Sequence, residues 1–320
     1  KYSQRVKNTG IVLSEFEFIT AAAFSYFADE KCDIVIAETG LGGRLDATNT
    51  LERVRAAVIT KVGLDHSAIL GDTAQKIAAE KCGIIKNFPT VISANQKIAV
   101  MSVVKKYTEN YVVPDVSCLK VLKCDGSGTT YIYKEKEYSL SLCGEYQIEN
   151  SLTAIEAVSA SGFNIPYETV KKALGATFFP ARAEIISRNP LTVLDGAHNP
   201  QGARALARYA AGLEKKRTAL LCGILRDKDC EGMVKILAPI CDEVVVVSPD
   251  STRAMPAQAL AELFGKQGRA AQCAPDAAAG IRMAREAAGE DGQVIAAGSL
   301  YLAGEVRTLV VGEDYALLKE

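Results

Sequence analysis

The chain has 320 residues, 48% of them hydrophobic and 23% charged, which is the make-up of an ordinary soluble protein and long enough for two domains with their own cores. Lys and Arg total 37 against 38 Asp and Glu, and the resulting net charge of −1 offers no global field for nucleic acid or an acidic membrane surface, so small molecules are the expected partners. Nine cysteines with no Cys-x-x-Cys pair point to reduced thiols and a cytoplasmic setting, and no apolar run approaches the roughly 18 residues of a membrane span.

The chain opens on Lys1 and runs almost at once into a helical pattern, as a piece cut from something longer would. Phe16, Ile19, Ala23, Phe24 and Phe27 recur at helical spacing, ahead of a short apolar run from Asp33 to Ala37 that predicts a buried parallel strand. Ala56 to Val62 predicts a second strand leading to Gly63-Leu64-Asp65-His66, then a helix from Thr73 to Cys82 and a third strand at Thr90 to Ser93. Between Tyr111 and Cys143 the apolar pattern alternates, with a turn signal at Asp125-Gly126-Ser127-Gly128, and predicts an antiparallel appendage. A helix over 148–161 closes the first domain, and 176–183, with Pro180, forms a hinge. From Thr192 onward strands near 192–195, 218–223, 243–248, 270–273 and 293–297 alternate with helices near 200–213, 229–238, 256–265, 276–288 and 299–309. Such alternation favours a mostly parallel, Rossmann-like sheet covered on both faces.

Only two histidines occur, and each follows a strand within a few residues of an aspartate, as Asp65-His66 and as Asp195-x-x-His198. Glu38 ends a run expected to be buried, where a carboxylate is costly unless a divalent cation or several donors meet it; the plainer alternative is a strand-end carboxylate that simply reaches solvent or pairs with Arg44. Asn199-Pro200 reads as an N-cap and first helical residue, which places a helix N-terminus able to favour phosphate beside Asp195 and His198. By local pattern alone Lys81 is a solvated charge at a helix end and Arg182 a surface or salt-bridge arginine. No Gly-x-x-x-x-Gly-Lys-[Ser/Thr] phosphate loop occurs in the 320 residues.

The motifs, in order, are Glu-x-Gly-Leu-Gly-Gly-Arg-x-Asp-Ala-Thr-Asn at 38–49, Thr60 to His66 continuing to Gly71 and Thr73, and Glu-Lys-Cys-Gly-Ile-Ile-Lys at 80–86. Asp195 to Pro200, Asp227-Lys228-Asp229 and Gly-Ser-Leu-Tyr-Leu at 298–302 follow, the last continuing to Gly304-Glu305-Val306-Arg307. This combination resembles the folylpolyglutamate and dihydrofolate synthases of the Mur ligase superfamily. The resemblance implies an α/β, Mur-ligase-like architecture. Residues 1–178 would be a P-loop-type central domain, lacking its N-terminal phosphate-loop portion and carrying the antiparallel appendage, and 179–320 a Rossmann-like C-terminal domain. It also implies an ATP-dependent ligase that phosphorylates a carboxylate of folate or dihydropteroate and lets the amine of L-glutamate displace phosphate. Glu38 and His66 resemble Mg²⁺ ligands, with two ions expected and ATP as co-substrate. Lys81 resembles a lysine that the family carbamylates, a change that turns a cation into a carboxylate-like group beside the second ion. Asn150 resembles an adenine-side contact, Arg182 and Asp195 nucleotide contacts, His198 a phosphate-side contact with a catalytic role, and Leu45, Asp46 and Ala47 the pterin-contacting stretch. Tyr146 and Ser151 stand where histidine and alanine are more usual. Without the phosphate loop the chain alone is expected to be inactive, and a monomer. A Mur-type amino-acid ligase of cell-wall synthesis is the alternative within the superfamily, and a non-catalytic nucleotide- or folate-binding remnant the alternative outside catalysis.

Overall fold

The computed structural model describes residues 12–64, 67–86, 89–125, 128–214 and 216–312. The chain divides into two compact units, one of residues 1–116 and 152–165 and the other of residues 117–151 and 166–320.

In the first unit, helix α1 (Glu15–Asp29) starts from a capping box in which Ser14 and Glu17 satisfy each other's backbone amides. The strands β1 (Ala57–Ile59), β2 (Thr90–Ile92) and β3 (Tyr111–Val112) form a parallel sheet in that order. Between β1 and β2 the chain forms the short helix α2 (Ser67–Leu70) and α3 (Ala74–Cys82), the latter capped by Thr73; α4 (Ile98–Tyr107) connects β2 to β3. Ile59, Val62, Ile77, Ala78, Cys82, Ile92, Val100 and Val104 make its core.

Two expectations fail here. Residues 33–37 are irregular, with Ile36 93% and Ile34 54% exposed, so they are not a buried strand. An apolar run becomes a strand only when a neighbour completes its ladder, and no described strand pairs with it. Tyr111 does not open the antiparallel appendage; Thr90 and Val91 of β2 pair with it and Val112 in parallel register.

In the second unit, β4 (Leu119–Asp125), β5 (Gly128–Tyr133) and β6 (Lys136–Leu140) form the expected antiparallel sheet; Gly126 and Ser127 of the turn signal lie outside the described residues. Helix α5 (Glu145–Ala160) begins in this unit and continues into the other, and α6 (Tyr167–Gly175) follows. The remaining strands are β7 (Glu184–Arg188), β8 (Leu191–Leu194), β9 (Thr218–Cys222), β10 (Glu243–Val246), β11 (Ala271–Cys273) and β12 (Gln293–Ala297). They lie in the order β11-β10-β9-β12-β8-β7, parallel throughout except for β7. Successive strand residues face opposite sides of a sheet, so each strand feeds two cores. Leu220, Val244, Val246 and Ile295 pack with α7 (Pro200–Ala211), α8 (Cys230–Leu237) and α9 (Ala257–Lys266) through Leu206, Met233 and Phe264. Leu221, Val245, Val294 and Ala296 pack with α10 (Ala277–Ala288) and α11 (Leu300–Val311) through Ile281, Ala284, Leu302 and Val306. No helix among the described residues is long and apolar enough to cross a membrane.

Ser151 is paired with a tyrosine. Its hydroxyl donates to the carbonyl of Ile148 and meets the Tyr131 hydroxyl at 2.7 Å, with both side chains buried. Ser151→Ala should therefore strand the Tyr131 hydroxyl and cost about 1–3 kcal/mol. Tyr131→Phe combined with Ser151→Ala should recover most of that loss in urea denaturation, and a double variant no more stable than Ser151→Ala would refute the pairing.

Candidate functional site

In the first unit the two motifs at 38–49 and 80–86 are built against each other. Gly43 lies so close to the end of α3 that a Cβ there would sit 2.8 Å from the Glu80 carbonyl oxygen and 2.9 Å from that of Lys81. A Cβ on Gly83 would come within 2.5 Å of the Arg44 Cα. This backbone contact lets the Arg44 amide donate to the Glu80 carbonyl at 2.8 Å, while its guanidinium reaches the Glu80 carboxylate at 2.9 Å. The Asn49 side-chain amide donates to the carbonyls of Arg44 and Gly83, and the Lys86 ammonium to those of Asn49 and Leu51. Asp46 closes the loop from within: its carboxylate accepts the amides of Leu41 and Thr48 and the Thr48 hydroxyl. Burial raises the Asp46 pKa, but the bonds from Thr48, Leu41 and Gly40 outweigh it and leave the group below the usual carboxylate range. Held in this frame, Leu45 is 80% exposed and Ala47 half-buried.

Glu38 is exposed, against the expectation of a buried carboxylate, because the run before it is not a strand. Of the plainer alternatives, the side chain reaches solvent rather than pairing with Arg44, whose guanidinium is engaged by Glu80. Lys81 lies half-buried in the last turn of α3, and Asp65 and His66 fall outside the described residues. Among the described residues no three His, Cys, Asp or Glu side chains form a group able to hold a metal. The exposed Glu38 carboxylate nevertheless fits the donor chemistry of Mg²⁺, which takes one or two protein carboxylates and completes its shell with water and phosphate oxygens.

In the second unit the candidate residues collect at the carboxyl end of β8 and the start of α5. Asp195, 6% exposed, accepts the Ala183 amide on one oxygen and the Ala197 amide on the other, both at 2.8 Å. Burial pushes its carboxyl above the ordinary value; the two amides, Arg182 and His198 act in the opposite direction. His198 places its Nδ1 2.9 Å from the Gly196 carbonyl, and Asn199 caps α7 by accepting the Gly202 amide, with Pro200 in the first turn. Tyr146 lies within electrostatic reach of both Asp195 and Arg182, and burial raises its hydroxyl to about 12. Beside it the Oε1 of Gln147, a buried residue, accepts the Nδ2 of the exposed Asn150 at 3.0 Å. Arg182, Asp195 and His198 thus lie together in one unit with Tyr146 in reach, and Asn150 follows one turn further along the helix that carries Tyr146. Glu80 and Lys86 belong to the motif at 80–86, and Glu184 and Arg307 lie 123 positions apart in sequence; their partners become visible only in three dimensions.

The Mur ligase middle domain family matches residues 14–158, and the Mur ligase glutamate ligase domain family matches residues 181–300. The chain is 32% identical to folylpolyglutamate synthase of Lacticaseibacillus casei over 322 residues, covering 94% of this chain and 72% of that protein. Its fold is similar to that of Mycobacterium tuberculosis folylpolyglutamate synthase complexed with ADP and AMPPCP, at a TM-score of 0.84 and 32% identity over 96% of this chain and 75% of that one. It is also similar to the bifunctional folylpolyglutamate synthase/dihydrofolate synthase of Yersinia pestis complexed with AMPPNP and Mn ion. There the TM-score is 0.79, with 30% identity over 92% of this chain and 71% of that one.

Gly83→Ala should force the loop away from α3 and cost about 1–3 kcal/mol, read by urea unfolding; unchanged stability would show that the close approach is dispensable. For Asp195 the folded-state pKa is raised above the ordinary 3.8, so the group favours folding below that value, and this contribution is lost as pH rises through the folded pKa. The stability advantage of the unsubstituted protein over Asp195→Asn should accordingly be greatest in acid and narrow towards neutrality. An advantage that widens instead would mean that the amides and Arg182 prevail over burial.

Proposed function

The chain belongs to the folylpolyglutamate and dihydrofolate synthase family of Mur ligases, which are ATP-dependent ligases, and we propose that its specific reaction joins L-glutamate to folate, to dihydropteroate, or to both through an acyl phosphate. The observation that carries this reading is the grouping of Arg182, Asp195 and His198 at the carboxyl end of β8 in the six-stranded sheet, where open parallel sheets receive their ligands, with Tyr146 at the start of α5 within electrostatic reach of Arg182 and Asp195. The M. tuberculosis relative with ADP and AMPPCP and the Y. pestis relative with AMPPNP and Mn support a nucleotide and a divalent cation as the partners.

In this reading Asn150 offers a carboxamide to the adenine edge, with its orientation set by Gln147. Arg182 supplies positive charge to the nucleotide, and His198, at the N-terminus of α7, adds a donor on the phosphate side. Leu45, Asp46 and Ala47 form the pterin-facing stretch: Leu45 presents apolar surface and Asp46 holds the loop that displays it. Glu38 and His66 would hold Mg²⁺, with carbamylated Lys81 beside a second ion; when bound, the metal neutralises phosphate charge during in-line transfer. The amine of L-glutamate then attacks the activated carbonyl, and no nucleophilic side chain is required of the protein. The ATPase-type and C-terminal domains divide at 178/179, between the stretches that the two family matches cover, and the protein acts as a monomer.

The test uses the protein encoded by the complete reading frame. ADP release should require L-glutamate together with folate or dihydropteroate, and Glu38→Ala should lower it at least about tenfold at subsaturating Mg²⁺, with partial recovery as Mg²⁺ is raised. Glutamate-independent turnover would overturn the proposed reaction, and an unaffected Glu38→Ala variant the metal assignment.

A further inference from the structure

Arg182 sits between two residues in the left-handed region, Ala181 at φ 54° and Ala183 at φ 48°. Non-glycine residues adopt this region at a cost, and two in three positions persist only when the surroundings hold them. Both are held. The Ala183 amide donates to Asp195, and the Ala181 amide donates to an oxygen of Glu184 at 2.9 Å, while the Ala181 carbonyl accepts the Gly196 amide at 2.8 Å. Glu184 is itself fixed: the Arg307 Nε, from α11, approaches its two carboxylate oxygens at 2.9 and 3.1 Å, with both side chains largely buried. The Arg307 guanidinium also lies over the Phe178 ring at 5.7 Å. None of the roles proposed above uses Glu184 or Arg307.

We infer that the Arg307–Glu184 pair is a positioning device that acts through Arg182, clamping the 181–183 backbone so that the guanidinium is aimed before nucleotide arrives. The inference rests on the reading of Arg182 as a nucleotide contact. A buried ion pair is a poor source of stability but a good means of fixing one geometry, and placing a binding group in advance removes an ordering cost from association. Asp195 fixes only the residue after Arg182. Glu184 holds the amide of the residue before it, whose carbonyl takes the Gly196 amide, and the φ values on either side leave the intervening backbone little freedom.

The experiment measures ADP affinity by calorimetry, together with thermal midpoint, in the protein encoded by the complete reading frame. Arg307→Met and Glu184→Leu should each weaken ADP binding by about tenfold, and Glu184→Gln, which keeps an acceptor for the Ala181 amide, by less. Once Arg182→Ala is present, neither substitution should weaken binding further, because the clamp acts only through that side chain. Should either of the stronger variants fail to fold, Arg307→Lys, which retains the charge but loses the guanidinium, carries the same comparison. Unchanged ADP affinity in the folded variants, or losses that simply add to that of Arg182→Ala, would overturn the inference alone. Absence of ADP binding in the unsubstituted protein would overturn the nucleotide reading and the clamp with it.

Discussion

Beyond the last rung of a parallel ladder, backbone amides lose their strand partners just where the chain must turn to meet a ligand. In the second unit the carboxylate of Asp195 takes over at the end of β8. One oxygen receives the Ala183 amide and the other the Ala197 amide, so two segments 14 positions apart are fastened to one side chain. A buried donor without an acceptor costs about as much as a lost hydrogen bond, and a single carboxylate with two receiving edges meets both demands. Burying that charge is unfavourable, and Arg182 and His198 offset part of the penalty. The groups proposed to face a nucleotide are therefore also those that make the anchoring carboxylate tolerable. Site and scaffold share the same charges.

The first unit solves a similar problem with glycine. A loop that displays an exposed apolar side chain such as Leu45 gains nothing from burial there and needs an anchor elsewhere. Gly43 and Gly83 bring two backbones into contact that any Cβ would prevent, and the resulting proximity brings Arg44, Glu80, Asn49 and Lys86 within bonding distance. The exposed Arg44–Glu80 pair adds little by its charge alone, since both side chains remain partly solvated. The backbone contact and the amide bonds around it provide the rigidity.

Legibility in the sequence followed the range of the interactions. The β8 to α11 alternation could be read closely because most of its strands are buried, continuous apolar runs and four of its five helices carry a side-chain cap, at Asn199, Asp229, Asp276 and Ser299. Helix α4, rich in Val and Ile, and the short α6 carry weaker local signals and were not anticipated. Neither was β7, which exists as an antiparallel edge only because β8 lies beside it. The run at 33–37 failed for the converse reason: its composition suits a strand, but composition cannot supply a neighbour. Asp195 and His198 were visible through spacing and the capping signal, whereas the partners of Glu80 and Glu184 depend on contacts across dozens of positions.

Motif residues divide by what their side chains already do. Arg44, Asp46, Glu80, Lys86 and Asp195 are engaged within the protein, so their appearance in a functional signature reflects the frame as much as the chemistry. Glu38 and Leu45 are exposed, and a ligand could meet them without first displacing a contact named above; Asn150 is exposed too, with its Nδ2 held by Gln147. For Glu38, exposure removes the argument from burial for a cation. A buried carboxylate would have needed a cation to be stable, whereas an exposed one needs none and would gain from Mg²⁺ chiefly when phosphate is also present. If Glu38 holds Mg²⁺ as proposed, metal and nucleotide should bind cooperatively, because each would supply part of the coordination or charge neutralisation that the other lacks; a calorimetric ADP titration with and without Mg²⁺ reads this directly.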